Sequence, residues 1–288
     1  MSTTIQEPQV LHAVPFDEYR QMHGVNSSLL KSVMLDGAAQ AIKGKEKDTQ
    51  AMRDGRAVHI AALEPEKYSE QYARFDDTEL LGSCVTDDGK EAKNPRATKQ
   101  YKAAVTQFQL ENMGKEILPA IDYDILQYCG TLAQRHIPDD TYKELTITWA
   151  RPSLVHPTEI ACKARLDAVD FANRTIYDIK TTGDTSRILI DMFNLKYHTQ
   201  MTWYLEAVQL IYPGDWKAVV VVVQTDGTDS VPITMDELAI SMGERENNNA
   251  IRDWELTLNG MIPGSRWDNL PKDFKAKPPA WYKPYGTY

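Results

Sequence analysis

The chain has 288 residues, 42% of them hydrophobic and 25% charged, an ordinary balance for a soluble globular protein with a sizeable core. Its net charge of −9 argues against a protein that coats nucleic acid broadly, although a local basic channel can coexist with an acidic exterior. The longest apolar run, residues 218–223, is too short to span a membrane, and the N-terminus lacks the segments of a secretory signal. With three widely spaced cysteines, the composition predicts a cytoplasmic protein that forms one domain over residues 1–288.

The N-terminal half is predicted to be mainly helical. Residues 1–13 have the character of a loose leader. An N-cap cluster at 26–28 precedes a helix that starts at Leu29, and a second helix is predicted over 49–63. Further helices are predicted over residues 97–113 and 120–134, after a loop at 84–95.

The central block alternates between strands and a helix. Strands are predicted over residues 145–149, 159–169, 175–181 and 217–224, with a helix over 195–211 before the last strand. The strand–helix–strand order predicts a parallel crossover, and the unbroken apolar run at 218–223 predicts a strand covered on both faces. A helix at 235–259 and a tail at 271–288, rich in proline, lysine and aromatic residues, follow. The fold class is therefore predicted to be α/β (α+β), with a central mixed β-sheet flanked by helices.

The strands on either side of residues 171–174 form a predicted hairpin with three prominent charged residues. Polar and apolar residues alternate along the first strand, which places Asp167 on its polar face. Asp178 and Lys180 share one face of the second strand. A turn in which Asn173 best tolerates left-handed geometry would put Asp167 opposite Asp178, with Cβ atoms about 5 Å apart.

Two facing carboxylates repel each other unless a cation lies between them. A divalent cation would reverse the sign of that interaction, and Lys180 beside it could hold, or help to deprotonate, a water for attack on a phosphate. The alternative is a solvated charged face on an edge hairpin. The apolar residues that flank both acids favour a metal site over a free edge.

The order of several motifs resembles that of the PD-(D/E)XK nuclease superfamily, in its RecB-like and exonuclease VIII (RecE)-like branch. The matching residues are His59 on the helix 53–65, Glu144 at the head of a strand, Leu166-Asp167, Asp178-Ile179-Lys180, and Gln200-x-x-x-Tyr204. The resemblance runs from about Val14 to Val223. Asp178 stands where many members have glutamate, a change that still provides a metal ligand.

The resemblance implies a restriction-endonuclease-like core at 144–224, a mainly helical part at 14–135, and a C-terminal helix and tail at 225–288. It implies a metal-dependent exodeoxyribonuclease of a bacterial or phage-infected cell, which degrades one strand of duplex DNA from a 5′ end. The 3′ overhang would serve a RecT-type annealing protein in recombination or repair, and the enzyme would form a homo-oligomeric ring without membrane contact. The alternatives are an endonuclease or single-strand nuclease on the same core, or an inactive DNA-binding relative.

The resemblance also implies the roles of individual residues. The implied metal ligands are His59, Asp167, Asp178 and the backbone carbonyl of Ile179. Magnesium is the expected metal, with manganese able to substitute, and Lys180 and Gln200 would act on the attacking water. His59 could instead be a core or capping residue of its helix. Three cysteines cannot supply the four ligands of the iron–sulfur cluster found in some relatives, so no cluster is expected.

The remaining candidates each have a purely structural alternative. Gln200 and Tyr204 share a helix face, from which Gln200 would contact the site and Tyr204 the DNA backbone. The alternative is that Gln200 is solvated and Tyr204 is packed in the core. Glu144 is either a strand-edge charge or an acid near the metals. Arg165 and Lys163, on the face of the first acid, are either phosphate contacts or charge partners. The tail lysines and aromatic residues either bind nucleic acid or a partner, or are solvated.

Overall fold

The computed structural model describes residues 7–44, 48–86 and 88–261. In chain order, its strands and α-helices are β1 (Gln9–Leu11), α1 (Phe16–Gln21), α2 (Ser27–Asp36), α3 (Ala38–Lys43), α4 (Gln50–Leu63), α5 (Pro65–Gln71), β2 (Tyr72–Phe75), α6 (Thr78–Ser83), α7 (Lys99–Glu111), β3 (Glu116–Pro119), α8 (Ala120–Gln134), β4 (Tyr142–Pro152), β5 (Glu159–Asp170), β6 (Thr175–Thr182), α9 (Ile188–Asn194), α10 (Tyr197–Ile211), β7 (Lys217–Gln224), β8 (Ser230–Thr234) and α11 (Glu237–Leu258). Short 3-10 turns lie at Pro95–Ala97 and Thr185–Arg187. Within these ranges, no helix is both long and apolar enough to cross a membrane.

A mixed sheet forms the centre of the described part of the chain, with six strands in the order β1-β4-β5-β6-β7-β8. Neighbouring strands are antiparallel except β6 and β7, which are parallel and are joined through α9 and α10. The predicted fold class is therefore confirmed, with the crossover at the predicted place. The valines of β7 alternate between two cores: Val220 and Val222 enter one, and Val219 and Val221 the other. The apolar run is unbroken because helices cover both faces of this strand.

The two cores lie on opposite faces of the sheet. One includes residues of α2, α10 and α11, and the other includes residues of α4 and α8. On the second face, α4 and α8 are in close contact at Gly130, where an added Cβ would lie 2.4 Å from the Cβ of Ala61. A larger residue at Gly130 would displace α4, and with it His59, from its position over the sheet.

Several elements differ from the prediction made from the sequence. Residues 9–11 form β1 against β4 instead of a leader, since Val10 packs on the core. The sequence does not predict α9, β8 or the small parallel pair of β2 and β3, because each is too short to show a clean period. The predicted strand 145–149 extends over Tyr142–Pro152. The tail at 271–288 lies outside the described residues.

The left-handed residue of the β5–β6 turn is Arg174, with a φ of 48°, and not Asn173 as predicted. Asn173 is held by Asp170, whose carboxylate accepts hydrogen bonds from its backbone N–H and its side-chain amide. The side chain of Asn173 is therefore used to bind the strand end, and the following residue takes the unusual conformation.

Candidate active site

The predicted hairpin register is confirmed next to the turn, but the two strands separate before they reach the acids. Pairing runs from Asp170 and Thr175 to Ala168 and Tyr177 and then stops. At the next position, the side chain of Asp167 accepts a hydrogen bond from the backbone N–H of Ile179 at 2.7 Å. The expected direct pairing of the two aspartates is therefore not formed, because one carboxylate takes the place of a backbone partner.

Beyond the separation, β5 pairs with a segment from the N-terminal part of the chain. Val25 donates its N–H to Ala161 O at 2.8 Å, and Lys163 donates its N–H to Val25 O at the same distance. This segment supplies hydrogen-bond partners for backbone groups of β5 at the edge where β6 has separated. The acids consequently lie in a cleft between separated strands, and not on a continuous sheet surface.

Both aspartates are buried, and both lie close to other charged side chains. Burial, followed by the charge of Asp178, raises the pKa of Asp167 to about 7. Asp178 is 1% exposed, and neither of its carboxylate oxygens has a well-aligned hydrogen-bond donor among the described residues. The Lys180 ammonium lies 2.5 Å from its Oδ2. Although burial opposes it, attraction to Asp178 and Asp167 raises the pKa of Lys180.

His59 lies on α4 and reaches both strands of the cleft. Its Nε2 is 2.8 Å from the carbonyl oxygen of Ile179, and its Nδ1 is 3.4 Å from Oδ2 of Asp167. Burial, followed by the nearby charge of Lys180, lowers the pKa of the imidazole. The neutral ring, which is the form that binds metals, is therefore favoured. The four predicted ligand groups come together around this cleft.

Glu144 lies on β4, at the position opposite Asp167. The residues on both sides of Glu144 pair with β5, but Glu144 itself is unpaired and has a φ of 55°. A left-handed non-glycine residue costs about 1–2 kcal/mol and is often found at functional sites. Its carboxylate is bound by Arg165, while burial and then the charge of Asp167 raise its pKa. Of the two alternatives, the structure supports an acid close to the cleft.

Gln200 and Tyr204 lie on the part of α10 next to the cleft, but their side chains are hydrogen-bonded to each other. Gln200 donates from Nε2 to the hydroxyl of Tyr204 at 2.7 Å. Tyr204 is buried, and burial followed by the charges of Asp178 and Asp167 raises its pKa well above the ordinary value. The tyrosine lies too deep for the expected contact with a DNA backbone, so the packing alternative applies to it.

Of the two basic residues predicted beside Asp167, neither is free for a phosphate. Lys163 is buried, and its ammonium donates to the carbonyl oxygens of Tyr19 at 2.8 Å and Met22 at 2.5 Å. Arg165 binds Glu144 and also donates to the carbonyl of Val14. Both side chains tie the N-terminal segment to the sheet. Arg165 is a charge partner of Glu144, whereas the partners of Lys163 are backbone carbonyls, so Lys163 fits neither alternative.

Two residues near the cleft are not identified from the sequence. The ring of Tyr197, the first residue of α10, lies 5.2 Å from the ammonium of Lys180 and 5.3 Å from that of Lys31. Burial, followed by the charge of Lys180, lowers the pKa of Lys31. Tyr197 precedes Gln200 by three residues and so shares its helix face, a spacing that could have identified it. Lys31 could not have been found this way, since it comes from a distant part of the chain.

The chemistry of the cleft fits a divalent cation. Its potential metal ligands are two carboxylates, an imidazole and a backbone carbonyl. Among the described residues, no aligned hydrogen-bond donor contacts the buried oxygens of Asp178, and a cation would satisfy them instead. In the described ranges, no three His, Cys, Asp or Glu side chains are close enough together to hold a metal as they stand. The Lys180 ammonium supplies the positive charge next to Asp178 in this arrangement.

Two solved structures are similar to the chain at low sequence identity. A protein assigned as an exonuclease, from Eubacterium rectale, is 12% identical over 92% of this chain and 95% of its own, with a TM-score of 0.50. A phage-related exonuclease from Haemophilus somnus is 16% identical over 65% of this chain and 94% of its own, with a TM-score of 0.29. No curated protein sequence matches the chain.

The profile of a protein family, described as a PDDEXK-like domain of unknown function (DUF3799), matches residues 27–260. This range includes the whole cleft, from Lys31 to Tyr204. PDDEXK-like nucleases generally use divalent metals, in agreement with the donor set found here. The chain therefore belongs to the PDDEXK-like family DUF3799, within the PD-(D/E)XK nucleases.

Proposed function

We propose that the chain is a metal-dependent DNA exonuclease resembling exonuclease VIII, which degrades one strand of linear duplex DNA from its 5′ end. The observation that carries the proposal is the meeting of Asp167, Asp178, Lys180 and His59 where β5 and β6 separate. Two buried carboxylates beside a half-buried imidazole and a half-buried ammonium, three of these groups with shifted pKa values, are typical of a hydrolytic site.

The residues have distinct proposed roles. Asp167, Asp178, His59 and the carbonyl of Ile179 would hold Mg²⁺, for which Mn²⁺ could substitute. A bound metal ion polarises the scissile phosphate and lowers the pKa of the attacking water. Lys180, whose ammonium lies beside Asp178, would hold that water in line with the phosphorus.

Gln200 would assist at the edge of the same cleft, because its amide is hydrogen-bonded to Tyr204, on which the charges of both acids act. The water oxygen would then bond to phosphorus and lose a proton to solvent, while the ester oxygen of the neighbouring nucleotide leaves with the bonding electron pair and takes up a proton from solvent. Glu144 and Arg165 would keep Asp167 in place and contact no substrate.

The polarity, the recombination role and the assembly are supported by the resemblance. A homo-oligomeric ring that encloses DNA would let a protein with a net charge of −9 retain its substrate with few strong contacts. The 3′ overhang would pass to a RecT-type annealing protein. The sequence has no pattern of a recognition helix with basic and amide residues, and its net charge is −9, so contacts to phosphates and strand ends, which carry no sequence information, are favoured.

Matched linear and covalently closed plasmids, incubated with Mg²⁺, test the proposal. We expect loss of the linear form alone, with early release of a label at the 5′ end and late release of one at the 3′ end. An Asp178→Asn variant controls for contaminating nuclease. Rapid cutting of the closed form would identify an endonuclease, and no cleavage with Mg²⁺ or Mn²⁺ would identify an inactive DNA-binding relative.

A further inference from the structure

The start of α10 is fixed by contacts that have no evident role in binding a metal. Lys196 immediately precedes the helix with a φ of 59°, and its ammonium is 2.7 Å from the Oε2 of Glu246 on α11. Asn247, on the same part of α11, donates to the carbonyl of Thr199 at 2.9 Å. These contacts with α11 hold the first turn of α10 in place, and they therefore fix the position of Tyr197, which lies in that turn beside the cleft.

The ring of Tyr197 is shared by two ammonium groups. Lys180 and Lys31 lie 5.2 Å and 5.3 Å from its centroid, and both distances are within the roughly 6 Å range of a cation–π contact. The face of an aromatic ring carries partial negative charge, so it attracts both cations. Asp178 is a common electrostatic partner, because its charge acts on both lysines.

Besides the ring, Lys180 is attracted by Asp178, which its ammonium contacts, and by the charge of Asp167. Its ammonium lies 2.5 Å from Oδ2 of Asp178, yet the contact lacks the alignment of a good hydrogen bond. A lysine side chain has several rotatable bonds, so one poorly aligned ion pair does not define the place of its nitrogen. A rigid ring on a second side restricts it.

We infer that Tyr197 is a positioning residue, whose ring holds the ammonium of Lys180 at the cleft. The same ring binds the ammonium of Lys31 through a second cation–π contact. The inference rests on the proposed function, since it assigns Tyr197 to the hydrolytic step through Lys180. The phenol hydroxyl has no part in this role, so phenylalanine can replace tyrosine and an aliphatic residue cannot.

Kinetics with linear duplex DNA and Mg²⁺ test the role. Tyr197→Leu should lower kcat by about tenfold to thirtyfold, with KM changed by less than about threefold, since a largely desolvated cation–π contact corresponds to roughly this range. Tyr197→Phe should retain kcat within about threefold. Phe193→Leu is the matched control: it removes a neighbouring ring that contacts His198 and should leave kcat unchanged. Wild-type kcat in Tyr197→Leu, or an equal loss in Tyr197→Phe, would overturn the inference.

A spectroscopic measurement separates this inference from the proposed function. With ¹³C at the lysine ε-carbons, two ε-methylene signals should be shifted by the ring, and Lys180→Met and Lys31→Met assign them. The shifts should persist in Tyr197→Phe and vanish in Tyr197→Leu, or in Tyr197→Met should the leucine variant not fold. A wild-type protein with both shifts and no nuclease activity contradicts the proposed function alone, whereas unshifted lysine signals contradict the position of Tyr197.

Discussion

Asp170 and Asp178 are two buried aspartates at opposite ends of the same short β5–β6 pairing, and the protein satisfies them differently. Asp170, beside the turn, accepts hydrogen bonds from the backbone N–H and the side-chain amide of Asn173, at 2.9 and 2.7 Å. Asp178, where the strands separate, has no aligned donor among the described residues and an ammonium at 2.5 Å. Buried polar groups are normally hydrogen-bonded. The contrast distinguishes a carboxylate that stabilises the turn from one left open to a cation.

The largest predicted effect is the loss of nuclease activity in Asp178→Ala. A metal ligand contributes several kcal/mol to stabilisation of the transition state, so cleavage of labelled linear duplex should fall by about a thousandfold or more. The free energy of unfolding without metal should hold or rise. Lys180 keeps its attraction to Asp167, and the repulsion between the two acids disappears.

Asp170→Ala is the matched control from the other end of the strand pair. It removes the acceptor of two hydrogen bonds next to the turn, which should lower the free energy of unfolding by about 1–3 kcal/mol. Its kcat should match that of the wild type. If Asp170→Ala lost activity while Asp178→Ala lost stability, the assignment of the two carboxylates would be reversed.

The sequence predicts the acidic pair because the relevant signals are local. The period of two along each strand shows which face of the strand carries Asp167, Asp178 and Lys180. The short turn sets the strand register, which the structure shows from Asp170–Thr175 to Ala168–Tyr177. The resemblance, and not spacing, indicates that His59 and the Ile179 carbonyl belong to one site, since 120 residues separate them, and their contact is seen only in the structure.

The parts of the site that the sequence does not predict depend on distant contacts. The strands separate because the Asp167 side chain binds Ile179 N–H and because the segment at Val25 pairs with β5, and neither event leaves a periodic pattern. The left-handed backbone of Glu144 is equally invisible in the residue type. The choice between the two alternatives for Tyr204 could not be made from the sequence for a related reason: helix spacing gives its face but not its depth below the surface.

Lys180→Ala sharpens the contrast, because it removes the cation next to Asp178 and leaves the carboxylate. We expect cleavage to fall by about a hundredfold or more, as for the loss of a group that acts on a transferred proton or an attacking water. Mn²⁺ affinity should hold or increase, since a like charge beside the metal ligands is gone. Calorimetric titration measures this, and a lost binding isotherm with cleavage retained would contradict the role of the lysine.

The smallest predicted effect is a pH dependence of stability that comes from Asp167. Its pKa is raised from 3.8 to about 7 in the folded protein, by burial and by Asp178. Between these values the folded state keeps a proton that the unfolded state releases. The contribution of Asp167 to the free energy of unfolding therefore falls as the pH rises from about 4 to about 7.

Asp167→Asn removes this titration while it preserves the shape of the side chain. Without divalent metal, urea unfolding at pH 5 and at pH 7.5 should show that the wild type loses stability relative to the variant as the pH rises. His59 titrates in both proteins, so its contribution largely cancels in the difference. The charge of Asp167 raises the pKa of Glu144, and its removal in the variant changes the difference in the same direction. A wild type that gains relative stability with rising pH would mean that attraction to Lys180 outweighs burial and Asp178 at this carboxylate. In that event, the cleft would favour two ionised acids even before a cation binds.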